Sequence, residues 1–200
     1  MSIEVTEHEH SPPAAAMRYL RFDANAEDKA LIDSLHATTP GLVDYECKTA
    51  AKVTRLITQP ASLTVLSSHG SWHGEYHDQW GFRRDPEKKR STAESIVGGG
   101  LIRSRVLVIA ACWSKAEFWS PVLSPGSIAF VATRNVTYGA VRHSLRAFLP
   151  YVESDAFEHA TDDDIVLAWE VARGKAANVA RTLAARNGPP LHFAVARHRG

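Results

Sequence analysis

Three apolar runs dominate the hydropathy pattern, at Ser62–Ser68, Arg105–Cys112 and Ser127–Ala132. None alternates strictly with polar positions and each carries β-branched residues. Each therefore reads as a strand buried on both faces, as in a parallel sheet covered by helices. Met17–Phe22 alternates and reads as the first strand, and Leu191–Ala196 as the last. Helical spacing fills the intervals. Residues 26–37 place Ala30, Leu31 and Leu35 on one face, with Glu27 and Asp28 at the positive end of the dipole. Thr38-Thr-Pro-Gly41 stops that helix. Ser91-Thr-Ala-Glu94 reads as a capping box for a short helix ending at Gly98-Gly-Gly100. Tyr138–Leu149 gathers Val141, Leu145, Phe148 and Leu149 on one side. Asp162–Ala172 is expected as a helix punctuated by Gly174, followed by a separate Ala-rich helix over Lys175–Arg186. Residues 42–58 fit a strand or a helix equally. Strands alternating with helices predict an α/β fold, a mostly parallel central sheet with helices on both faces.

Composition narrows the class. A chain of 200 residues, 44% hydrophobic, can bury one substantial core. Residues 1–16, polar and then Ser11-Pro-Pro-Ala, are expected to form a flexible arm, and 17–200 a single domain. A formal net charge of +1 gives no broad field for nucleic acid or an anionic membrane. No apolar run approaches the roughly 20 residues that span a bilayer. The N-terminus lacks the basic and apolar regions of a secretory signal. A cytoplasmic location is expected, with Cys47 and Cys112 as reduced thiols.

The candidate chemistry sits where two runs end. The run from Arg105 stops abruptly at Cys112, followed by Trp113 and Ser114, and the run from Ser62 stops at His69-Gly70. In parallel sheets, reacting groups lie just past the carboxyl ends of the strands. If these two strands are parallel neighbours, His69 and Cys112 project over one edge. An imidazole beside a thiol can then take its proton and leave the nucleophilic thiolate. Gly70, without a Cβ, lets a substrate backbone approach. Cys47 reads as structural.

These residues resemble the caspase-like cysteine peptidases, the superfamily of caspases, metacaspases, legumains, gingipains, separases and bacterial CHAT peptidases. Its hallmarks are an apolar strand closing in His-Gly and a later one closing in Ala-Cys. Here they are Leu63-Thr-Val-Leu-Ser-Ser-His69-Gly70 and Val106-Leu-Val-Ile-Ala-Ala-Cys112. The separation is close to the roughly 50 residues of caspases. The caspase signature Gln-Ala-Cys-x-Gly is replaced by Ala-Ala-Cys-Trp-Ser, which is nearer to the CHAT branch. The resemblance covers about residues 17 to 150. It implies a three-layer caspase-like fold and a cysteine endopeptidase that acts on a polypeptide without a cofactor. Cys112 would be the nucleophile and His69 the general acid/base, with the backbone N–H groups of Gly70 and Cys112 holding the oxyanion. Bacterial relatives act in defence or programmed death. A bare peptidase would take its signal from an activating protein, or cleave one dedicated protein encoded nearby.

For substrate binding, Asp23 could supply a carboxylate to a basic side chain, although helix N-cap is its simpler role. Arg134 could receive an acidic one, and Trp113, with Trp72, Trp80 and Trp119, could wall the cleft or belong to the core. Two other readings stay open. A catalytically silent caspase-like module would bind a partner. A zinc hydrolase would use His69, His73 and His77 at four-residue spacing, with Glu75 or Asp78. Against zinc, Gly70 and Gly74 weaken any helix there, and no His-Glu-x-x-His motif is present.

Overall fold

Uninterrupted aliphatic strands are stable where helices cover both faces, and the sheet of this chain is built that way. The computed structural model describes residues 17–22, 26–68, 70–72, 80–82, 92–134, 138–182 and 192–199; the expected arm at 1–16 lies outside them. The main strands are β1 (Met17–Phe22), β2 (Leu42–Cys47), β3 (Ala61–Ser67), β6 (Ser104–Ala110), β7 (Ile128–Ala132) and β8 (Phe193–Arg197), with a hairpin of β4 (Gly70–Trp72) and β5 (Trp80–Phe82) between β3 and β6. The six main strands form one sheet in the order β2-β1-β3-β6-β7-β8. All pairings in it are parallel except the last, β7 with β8.

The helices are α1 (Ala26–His36), α2 (Ala50–Ile57), α3 (Ala93–Val97), α4 (Ala116–Trp119), α5 (Tyr138–Val152), α6 (Asp155–Glu158) and α7 (Asp162–Thr182). Period-two alternation of the strands splits the core in two. Tyr19, Leu63, Val65, Val106, Val108 and Phe130 face α1, α5 and α7. Leu20, Leu66, Leu107, Ile109 and Val131 face α2, α3 and α4. The first crossover from β1 uses the α1 side; the crossovers in the opposite direction, through α2, α3 and α4, use the other. That alternation keeps the parallel connections one-handed.

The ambiguous stretch 42–58 divides into β2 and α2. Three expected helix limits differ, the first being that of α5, which runs past Leu149 to Val152 with Pro150 inside it. The break at Gly174 is absent: α7 continues through it, because buried Ile165, Trp169, Ala172 and Ala176 on either side hold the helix down. A mid-helix glycine costs only about 0.5–1 kcal/mol relative to alanine, less than such burial contributes. The box expected at Ser91 and Glu94 is shifted by one residue. Thr92 is the N-cap, and its hydroxyl accepts from the backbone N–H of Ser95 at 3.2 Å. Starting at Ala93, the helix has Ser95 rather than Glu94 three positions past its cap.

Candidate active site

Strands β3 and β6 are parallel neighbours, in the register Ser67↔Ala110. Thr64 Oγ1 and Ser104 Oγ lie 2.6 Å apart in the buried sheet and tie the two strands together. Past the last strand pair, the Ser68 N–H donates to the Ala110 carbonyl at 3.4 Å. Both strands therefore leave the sheet at one edge, with His69 next in sequence after Ser68 and Cys112 two residues beyond Ala110. His69 itself lies outside the described residues.

Beyond β6 the chain turns outward. Ala111 is fully buried, Cys112 half-buried and Trp113 45% exposed, before Ser114 returns to full burial. Trp113 has φ 60°, and among the described residues it is the one non-glycine residue in the left-handed region. For a bulky side chain that conformation costs on the order of 1–3 kcal/mol and persists only where the surroundings enforce it. Enforcement comes from β7 and its exit. The Trp113 N–H donates to the Arg134 carbonyl at 3.3 Å and the Ser114 N–H to the Ala132 carbonyl at 2.9 Å. Ser114 Oγ in turn accepts from buried Trp119 Nε1 at 2.8 Å. The result is a turn that lifts the Cys112–Trp113 step off the sheet while both flanks stay anchored.

The topology marks the same edge. The connection from β1 runs to one side, to β2, and the connection from β3 runs to the other, to β6. Such a switch point opens a crevice outside the strand ends. Arg21 stands at the β1 end, in register with Ser67. Its Nε and Nη2 hold the Asp44 carboxylate of β2 at 2.8 and 2.9 Å, a bidentate and largely buried pair. On the β3 side, Ser68 Oγ is buried and has no hydrogen-bond partner among the described residues. Neither the Arg21–Asp44 clamp nor Ser68 was indicated by the sequence patterns. Arg21 looked like the polar half of an alternating strand, and only strand pairing reveals Asp44. Arg18, the other arginine of β1, plays a different part. Its guanidinium donates to the carbonyls of Leu56, Gln59 and Pro60 and closes the end of α2.

The remaining candidates fall into three groups. Trp113 and Arg134 are brought together by the backbone bond just described, with both residues exposed. Gly70 pairs with Phe82 across the two-stranded β4–β5 hairpin. Asp23, His73, Glu75, His77 and Asp78 lie outside the described residues, as His69 does. Of the tryptophans, Trp119 belongs to the core at 0% exposure rather than to a cleft wall.

The two thiols differ sharply. Cys47 is buried at the end of β2, and burial, with lesser effects of neighbouring charges, pushes its thiol up to about 11. Cys112 stands half-buried on its turn. Since alkylation needs both access and thiolate, iodoacetamide at mildly alkaline pH is expected to modify Cys112 and spare Cys47 in the folded protein. Peptide mapping by mass spectrometry reads this directly, and comparable modification of both would contradict the burial difference.

In comparisons with known proteins, no family model matches the chain and no curated sequence does.

Proposed function

We propose that this chain is a caspase-like cysteine endopeptidase in which Cys112 is the nucleophile and His69 the general acid/base. The observation that carries the reading is the parallel pairing of β3 with β6 in the register Ser67↔Ala110, which ends at one edge the two strands that precede His69 and Cys112 in sequence. The outward turn at Cys112 and the left-handed Trp113 support it, since strained backbone collects at working sites.

In this reading the Cys112 sulfur attacks the scissile carbonyl carbon, and the developing oxyanion is held by the N–H groups of Gly70 and Cys112. The C–N bond breaks as His69 protonates the departing amine, leaving a thioester on Cys112. Water, deprotonated by His69, then releases the acid and restores the thiol. Trp113 and Arg134 border the approach, and the exposed guanidinium of Arg134 favours an acidic group on the substrate. The reaction needs no cofactor. The substrate is a polypeptide, and an activating protein partner is part of the proposal, as is action in the cytoplasm.

Peptidyl electrophiles bearing Asp, Arg or Leu at the reacting position test it. Wild type and His69→Ala are expected to be labelled, Cys112→Ala is not, and the Asp probe should react fastest. Equal labelling of Cys112→Ala, or hydrolysis that survives that change and is lost on chelation, would remove the thiol from the reaction.

A further inference from the structure

The outer surface of α7 carries a ridge beside a groove. Leu167 and Val171, 64% and 50% exposed, are neighbours along one helix row, and Gly174 continues that row without a side chain. Alongside runs a groove of about 570 Å³ between α5, α6 and α7, in which Ala147, Ala156, Ala160 and Ala168 supply shallow walls. Together they form a paired aliphatic ridge flanking an alanine-lined groove.

The charges along this face choose between possible occupants. Asp164 and Lys175, both exposed, border the groove at opposite ends, about three helical turns apart and on the same side of α7. Asp164 is anionic at neutral pH, as any exposed aspartate is, and hydrogen bonds from the Thr161 hydroxyl and N–H hold its carboxyl below the usual range. An acid at one end, a base at the other and an apolar pair between them is complementary to itself on reversal. We propose that α7 packs antiparallel on α7 of a second copy of this chain, with the two-fold axis passing between Leu167 and Val171. Each ridge enters the other copy's alanine groove, and Asp164 faces the partner's Lys175. Parallel pairing would set acid on acid and base on base, so the charges select the antiparallel arrangement. The contact is isologous, so it closes at two copies. This inference stands apart from the peptidase reading, since it uses none of the residues that reading uses.

Sedimentation analysis of the full chain over a range of concentrations tests the pairing. Wild type is expected to show a reversible monomer–dimer equilibrium. Lys175→Glu and Asp164→Lys are each expected to weaken it at least about tenfold, because each puts like charges at both ends of the contact. Mixing those two variants should restore association as a heterodimer, with an acid facing a base at both ends. Val171→Glu should leave the protein monomeric, with its circular-dichroism melting curve showing that it is folded. Asp164 also caps α7, so Lys175→Glu, which breaks no hydrogen bond or ion pair among the described residues, carries the charge test alone if Asp164→Lys proves unstable. A wild type that is monomeric at every concentration, or a dimer undiminished by Val171→Glu or Lys175→Glu, would overturn the proposal.

Discussion

Alanine at position 112 is expected to lower peptide-bond hydrolysis at least about a thousandfold while moving stability by no more than about 0.5 kcal/mol. The two halves of that expectation rest on different features. The rate loss follows from the role: without the sulfur no acyl intermediate forms, and neither His69 nor the oxyanion donors can replace a missing nucleophile. Residues that act as a unit are non-additive, so Cys112→Ala/His69→Ala should be no slower than Cys112→Ala alone. The small stability change follows from position. Cys112 is half-buried, and the turn around it is fixed by backbone bonds of Trp113 and Ser114, which alanine leaves in place. Initial rates on a protein substrate, beside thermal melts of both variants, measure the two halves separately. A Cys112→Ala protein that is fully active would sink the nucleophile assignment. One that is inactive only because it unfolds would contradict the account of the turn.

What the sequence could show was governed by burial. The strands at β3, β6 and β7 lie in the middle of the sheet, where both faces are covered, and their apolar runs made them visible. β2 is an edge strand with only Leu42 and Cys47 fully buried, and so it carried neither an apolar run nor a clean alternation. For that reason 42–58 could be read either way. Gly174 misled in the opposite sense. Glycine weakens a helix locally, but α7 is held by tertiary burial of its inner face, which local propensity does not report. At the candidate site, Cys112 was legible because an apolar run stopped there. The left-handed backbone at Trp113 was not, because the usual sign of that conformation is a glycine. Nor was the Arg21–Asp44 clamp, which exists only once β1 and β2 pair with Tyr19 opposite Asp44.

The largest effect on the fold itself is expected at Trp169. Its indole stacks on Phe130 of β7 at 4.7 Å and 10°, and meets Phe148 of α5 and Phe193 of β8 edge-on, each at 5.1 Å. At 1% exposure it fastens α7 to the sheet and to α5 together. Trp169→Ala should therefore cost about 3–5 kcal/mol, from lost burial and from a cavity that three separate elements cannot collapse to fill. For a chain of this size that corresponds to a fall in melting temperature of roughly 10 °C. Trp169→Phe should recover most of the loss. It keeps a ring for the Phe130 stack, and the indole N–H it removes has no hydrogen-bond partner among the described residues, so no acceptor is stranded. Chemical denaturation of both variants decides the matter. Similar losses for Phe and Ala would mean that the indole nitrogen has a partner after all. A loss under about 1 kcal/mol for alanine would mean that α7 is not fastened through this ring. Because β7 also fixes the turn after Cys112, through the carbonyls of Ala132 and Arg134, loosening Trp169 should disturb that turn as well. Faster alkylation of Cys112 in Trp169→Ala, at temperatures well below its melting point, would be the sign that the aromatic cluster supports the site as well as the core.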